Sequence, residues 1–247
     1  MKPPVQPQRF DRVDALRALA MWWMTAYHFA FDLEFFGWLQ ADFYRDPFWT
    51  LQRTAIVSLF LFCAGLGQAV ASAQGQSWSR FWRRWAQVAG CALLVSAGSW
   101  WMFPNSYIYF GVLHGMAVML LLVRLSARWP TPVLLAGVGL AWLAPPLAAG
   151  VIAAQSALDW LNTPWANWLG LISHKPITED YVPVLPWLGV MWTGLLAGRW
   201  ALRRRPSLLS GPSPRPLSTL GRWSLSYYML HQPMLLGLLT ALKPLLR

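Results

Sequence analysis

Asp14, Arg17, His28 and Asp32 lie within one membrane-length apolar stretch that runs from Arg9 to Trp38. At 100° per residue, the step from Arg17 to His28 returns to within about 20° of its start, and Asp14 and Asp32 fall within about 40° of His28. A helix here therefore carries one polar stripe. His28 and Asp32 are one turn apart, the spacing at which a carboxylate reaches an imidazole on the same face. A carboxylate so placed holds one ring N–H, fixes the tautomer and leaves the other nitrogen to act as a general base. The alternative is a structural hydrogen-bonded pair inside a helical bundle. Insertion scales charge roughly 2.5–3.5 kcal/mol for each ionisable group at the bilayer centre, which is a high cost for a packing contact. The eleven residues from Arg17 to His28 rise roughly 16 Å, about half of a ~30 Å hydrocarbon core. An arginine at the cytoplasmic rim then lies below a histidine near the bilayer centre.

Other candidates are scattered along the chain. His114, in YIYFGVLHGMAV, stands near Gly111 and Gly115, which permit close helix approach and leave room for a ligand. A core histidine satisfied by a neighbouring helix fits equally. His231, in SLSYYMLHQPMLL, follows Tyr227 by one turn and precedes Pro233, whose missing N–H frees the Met229 carbonyl. That suits a kink lining a cavity or a purely structural one. Glu179, Asp180 and Tyr181 come just before Pro183 and Pro186, where an acceptor arriving from outside would meet them unless the loop is simply solvated. His174, beside Lys175, reads as solvated. Cys63 and Cys91 sit in apolar runs without C-x-x-C or metal-type spacing, so they read as inert helix residues, with a disulfide as the minor alternative. No metal is expected.

The elements that must position these residues are membrane helices. The 247-residue chain is 56% hydrophobic and 12% charged, and its 18 Trp accompany several apolar runs too long for a soluble core. The net charge of +11 comes from basic residues between the apolar runs, not from an aromatic-interleaved patch, so membrane topology accounts for it and nucleic acid is not an expected partner. Spans are expected near 15–37, 49–73, 82–103, 106–125, 131–155, 183–202 and 220–242. The fifth is broken by Pro145 and Pro146, and the 145–160 segment is either re-entrant, interfacial or an eighth crossing. With the N-terminus inside, fifteen of the twenty basic residues fall on the cytoplasmic side, from Lys2, Arg9, Arg12 and Arg17 to the Arg203–Arg205 run, Arg215 and Arg222. Arg45, Arg53, Lys175, Lys243 and Arg247 remain outside, in keeping with the positive-inside rule.

The fold expected is thus all-α, a polytopic transmembrane bundle of seven or eight spans in a single domain, 1–247. Residues 1–14 form a cytoplasmic N-terminal segment, and the Pro- and Arg-rich 203–219 a cytoplasmic linker near anionic lipid. No cleaved signal peptide is apparent. The lone Gly65-Leu66-Gly67 reads as close helix packing.

Four blocks, RVDALRALAMWWMTAYHFAFDL, YIYFGVLHGMAVMLL, DYVPVLPWLGVMWTGLLAG and LGRWSLSYYMLHQP, occur in this order over nearly the whole chain. Together they resemble the bacterial members of the heparan-alpha-glucosaminide N-acetyltransferase catalytic-domain family, within the wider transmembrane acyltransferase group. The resemblance implies acetyl-coenzyme A entering from the cytosol as acyl donor, a sugar or glycan acceptor on the periplasmic side of a bacterial inner membrane, and an intramembrane histidine in the transfer. Arg17 and His28 also reproduce the arginine, ten residues, histidine spacing of the related type-three acyltransferases. On that likeness Arg17 is a donor-side residue and His28 is the transfer base or acyl carrier; His231 is a further expected donor-side residue. Asp32 orients His28, His114 is an oxyanion donor, and Asp180 and Tyr181 bind the acceptor. Ala18 stands where members often have Gly, and residues 37–49 hold no His where the heparan enzyme has its luminal-loop histidine. A proton-coupled transporter or flippase and a non-catalytic assembly partner are the rival functions, the first of which would be favoured by inverted repeats that the sequence does not display. A homodimer, the commonest closed assembly, is an open expectation.

Overall fold

Helix-favouring apolar runs punctuated by Gly and Pro give an all-α chain. The structure is a computed structural model and describes residues 10–245. Lys2, Arg9 and Arg247, assigned above to either side of a membrane, lie outside the described residues. In chain order the α-helices are α1 (Asp11–Phe35), α2 (Pro47–Ala73), α3 (Trp78–Met102), α4 (Val112–Ser126), α5 (Thr131–Ala154), α6 (Val184–Arg204), α7 (Ser207–Ser210), α8 (Arg215–Arg222) and α9 (Ser224–Leu242). Short 3₁₀ turns cover Ser156–Asn162, Asn167–Leu169 and Lys243–Leu245. Among the described residues there is no strand, only an isolated parallel bridge between Phe110 and Tyr181.

The chain divides into two compact units, Met1–Phe60 with Arg205–Arg247, and Leu61–Arg204. In the first, α1 buries Met21, Met24 and Tyr27 in an apolar cluster with Phe43, Ile56 and Phe60. Tyr27 meets Phe43 edge-on at 5.5 Å between ring centroids, a favoured aromatic geometry. Gly37, at φ +77°, stops α1: its N–H donates to the Glu34 carbonyl and that of Trp38 to the Leu33 carbonyl, the paired bonds of a Schellman cap. Pro- and Arg-rich 203–219 is not extended, because α1 gives it a seat. Arg12 donates to the Ser207 carbonyl at 3.1 Å and the Pro212 carbonyl at 3.3 Å, which satisfies carbonyls around α7. Next in the chain, α8 lies on α1 so closely that a Cβ on Gly221 would run into the Asp14 carbonyl oxygen. Its C-terminal Arg222 pairs with Asp11 at 3.3 Å.

The second unit contains the remainder of α2, then α3 to α6. Here Gly65 faces the Met191 carbonyl and Gly194 the Phe62 carbonyl, with no room for a Cβ at either, so the small residues of α2 and α6 do serve close packing. The fourth expected span, 106–125, becomes helical only at Val112. Its first residues instead spend their backbone groups on other segments: the Ile108 N–H goes to Ser99 Oγ, the Ser106 carbonyl accepts from Glu179 N–H, and the Phe110 carbonyl accepts from Val182 N–H. The fifth runs unbroken through Pro145 and Pro146, and the residues after it, Ser156–Asn162, form a 3₁₀ turn.

Of all these helices, α2 and α5 are the two that are long and apolar enough to cross a membrane by length and composition. The others fall short for visible reasons. At 15 residues α4 is too short, α3 opens with Arg80, Arg83 and Arg84, and α1 carries the ionisable residues described above.

Candidate functional site

The polar stripe of α1 is covered by α8 and α9, so each of its members meets the C-terminal part of the chain. Half a helix length above Arg17, His28 Nδ1 lies 2.8 Å from His231 Nε2, with the two rings nearly parallel at 13°. His231 is buried, and its Nδ1 lies 2.6 Å from the Tyr228 carbonyl oxygen. That carbonyl only accepts, so His231 Nδ1 must carry a proton. In neutral His231, Nε2 is then a bare acceptor and His28 Nδ1 must donate to it. Neutral His28 is left with an unprotonated Nε2. One backbone carbonyl thus fixes the tautomers of two histidines and leaves the outermost nitrogen as a base.

Tyr227 completes a stack, its ring 4° from that of His231 at 6.1 Å. Thr25 hydroxyl donates to the Met21 carbonyl at 2.9 Å, so the 2.7 Å contact between Thr25 and Tyr227 is a hydrogen bond given by the phenol.

Asp32 is only 1% exposed, yet its partner is not His28. Its Oδ1 accepts from Gln232 Nε2 at 2.6 Å. The i,i+4 spacing correctly places both residues on one face, but the carboxylate is taken by the next residue along α9 and His28 by His231. Asp32 Oδ2 and Gln232 Oε1 are buried without hydrogen-bond partners among the described residues.

Arg17 sits at the other end of the stripe. It pairs with Asp14 at 2.9 Å and donates to the Gly221 carbonyl at 3.3 Å, so its guanidinium ties α1 to α8. His231, an expected donor-side residue, packs on His28.

The remaining candidates belong to the second unit. His114 is in the first turn of α4, not deep in a span. Its Nδ1 accepts from the Gly111 N–H at 3.3 Å, which leaves the proton on Nε2, 3.0 Å from Ser96 Oγ. Ser96 in turn donates to the Ile108 carbonyl at 2.7 Å. Both ring nitrogens are therefore engaged in holding the start of α4, and the N–H that an oxyanion would need is already given to Ser96. Asp180 Oδ2 accepts from the Val112 N–H at 2.7 Å, placing a carboxylate at the positive end of the α4 dipole. Glu179 accepts from Ser106 Oγ at 2.6 Å. Tyr181 donates to the Asn167 carbonyl at 2.6 Å, while Asn167 Nδ2 donates to Tyr109 at 2.7 Å. Burial first, and the neighbouring Tyr109 phenol second, push the Tyr181 hydroxyl well above the ordinary tyrosine range, so it remains a neutral donor.

Sequence reasoning missed Gln232 and the Tyr228 carbonyl. Gln232 had a signal, a carboxamide next to a histidine in an apolar helix; the carbonyl had none, since Pro233 pointed to the carbonyl of Met229 instead. Among the described residues no group of three or more metal-ligating side chains is assembled.

In comparisons with known proteins, no curated protein and no solved structure matches the chain. A family model does, over nearly the full length: the chain belongs to the family described as heparan-alpha-glucosaminide N-acetyltransferase, catalytic, which its residues 9–233 match.

Proposed function

We propose that the protein is a membrane-embedded acyltransferase that moves an acetyl or other acyl group from cytosolic acyl-coenzyme A to a sugar or glycan acceptor at the periplasmic face, with His28 as the base. The observation that carries this reading is the His28–His231 pair, 2.8 Å apart, with its tautomers fixed so that His28 Nε2 is unprotonated. A general base needs this arrangement: a bare nitrogen on a ring that cannot turn, with its second nitrogen already committed. His231 and the Tyr228 carbonyl orient that ring. Arg17 stays on the donor side, roughly 16 Å along α1, and attracts coenzyme A phosphates. Asp180 and Tyr181 are the acceptor-side residues of the proposal, and His114 holds the start of α4 between them and α3.

Seven spans, α1 to α6 and α9, with the N-terminus in the cytoplasm of a bacterial inner membrane, are part of the same proposal. Large apolar side chains exposed on the proposed spans support it, Trp101 of α3 at 86% and Leu147 of α5 at 69% among them, since a bilayer is the medium in which such surface is at rest.

Labelled acyl transfer from acetyl-coenzyme A, with purified protein in detergent or liposomes and a panel of glucosamine and other sugar acceptors, tests the proposal. Wild type transfers label and His28→Ala, still folded, does not. Absence of both donor binding and turnover in folded wild type would overturn the reading and favour a transporter or an assembly partner.

A further inference from the structure

We infer that His231 is a positioning residue that also takes over the proton His28 acquires during transfer, so that the two histidines act as one base. The inference rests on the acyl-transfer reading of the same site and adds the group on which the positive charge comes to rest.

His28 on α1 and His231 on α9 share one hydrogen bond, 2.8 Å between Nδ1 and Nε2. The ring centroids are 5.0 Å apart, close to the most that two imidazoles joined through facing nitrogens at that distance can reach, and the ring planes differ by 13°. The rings therefore meet edge to edge. The His28 N–H points almost straight at the His231 lone pair, so a proton can cross with little movement of either ring. Beyond it, His231 Nδ1 lies 2.6 Å from the Tyr228 carbonyl oxygen. The ring nitrogens thus follow one another from the reacting end of His28 to the backbone of α9.

An imidazole that gains a proton at one nitrogen can release one from the other. When His28 takes a proton at Nε2, its Nδ1 proton passes to His231 Nε2. His28 is then neutral again, now as the Nε2–H tautomer, and His231 carries the charge. Both N–H groups of that cation have an acceptor: Nε2–H faces the bared His28 Nδ1, and Nδ1–H keeps the Tyr228 carbonyl. Both bonds become charge-assisted and so stronger. On His28 the same charge would have one N–H committed to His231 and the other turned to the reacting atoms. The relay moves it to the ring whose two donors are already placed.

The step balances. The acceptor nitrogen or oxygen attacks the thioester carbonyl and gives its proton to His28 Nε2, while the Nδ1 proton goes to His231 Nε2. A bond from the acceptor to the acyl carbon forms and the carbon–sulfur bond breaks. The departing thiolate takes the proton from His28 Nε2, His28 Nδ1 recovers its own from His231, and free coenzyme A leaves with both rings in their starting tautomers.

The test counts the protons that move in the transfer step. Single-turnover acetyl transfer is followed in mixtures of ordinary and heavy water for full-length wild type, His231→Gln and His28→Ala, with thermal unfolding as a folding control. In wild type two protons move together, so the rate plotted against deuterium fraction should bow below a straight line. His231→Gln still accepts from His28 Nδ1 but cannot take the proton. Its rate should be about tenfold lower, a part of what positioned acid–base catalysis supplies, and should fall along a straight line. A purely orienting His231 would alter the rate without altering the shape of that plot. A straight plot in wild type overturns the inference and needs no variant to fold; a wild-type rate or a bowed plot in His231→Gln overturns it too. Either result, with His28→Ala inactive, leaves His28 as the base. Wild-type turnover in His28→Ala instead removes the underlying reading.

Discussion

His28 Nδ1 and His231 Nε2 lie 2.8 Å apart, and the direction of the hydrogen bond between them is set by a third atom, the Tyr228 carbonyl oxygen 2.6 Å from His231 Nδ1. A backbone carbonyl has no proton to give, so donation runs one way, from His28 on α1 through His231 to the backbone of α9. Removing the middle of the relay frees the His28 ring both to rotate and to change tautomer.

His231→Ala should therefore lower kcat by about 10–100-fold, a part of the 10²–10⁴ that a positioned base supplies, with the His28 side chain itself untouched. His231→Gln supplies a carboxamide oxygen that can accept from His28 Nδ1, and should recover part of the loss. Initial rates of labelled transfer, with ¹⁵N NMR of the histidine ring nitrogens, check both. Equal rates in the two variants would show that the fixed tautomer contributes nothing.

Arg17 has two partners within the protein, Asp14 and the Gly221 carbonyl, and a proposed third in the donor phosphates. Arg17→Ala should raise KM for acyl-coenzyme A about tenfold, the order of one charge-assisted contact, with kcat changed less. Substrate titration read alongside thermal unfolding separates the roles. A lower melting temperature with KM unmoved would assign the guanidinium to the α1–α8 seat alone.

The reach of the sequence follows from what periodicity encodes. Helical angle placed Asp14, Arg17, His28 and Asp32 on one face of α1, and all of them do face α8 or α9. It could not say which partner each would choose, because that depends on the register of α9 against α1, in residues about two hundred positions away. His28 thus found His231, and Asp32 found Gln232. The same limit explains α4: GVLHGMAV reads as helix interior by composition, but Phe110 pairs with the backbone at Tyr181, and the helix starts only two residues before His114. The linker 203–219 was read from Pro, Ser and Arg content. What composition hid was that Arg12 and Asp11, on α1, supply partners for the two short helices α7 and α8.

Ser96 separates the structural role of His114 from a chemical one. Ser96→Ala removes the acceptor of the His114 Nε2–H and the hydroxyl given to Ile108. It should cost about 1–2 kcal/mol of stability, the range for losing one or two buried hydrogen bonds, and leave kcat within twofold. Thermal unfolding and transfer rates measured on the same preparation check this. A large loss of kcat in a stable variant would return His114 to the reaction.

Tyr181 gives the second unit a pH signature with a definite sign. Its phenol donates to the backbone carbonyl of Asn167, a fully buried residue, and burial together with Tyr109 raises its ionisation above that of a free tyrosine. Below about pH 10 the folded and unfolded chains both keep the proton, and the stabilisation is fully present. Above about pH 10 the unfolded chain releases it while the folded chain holds it, so the unfolded state binds fewer protons and stability falls as pH rises. Tyr181→Phe should lose about 1 kcal/mol at neutral pH from the missing hydrogen bond, and its deficit against wild type should narrow above pH 10, where wild type alone carries the ionisation penalty. Denaturation midpoints from pH 7 to 11, with tyrosinate absorbance followed in parallel, measure both trends. A deficit that stayed constant or widened through that window would show that the Tyr181 phenol ionises as readily in the folded protein as in the unfolded chain.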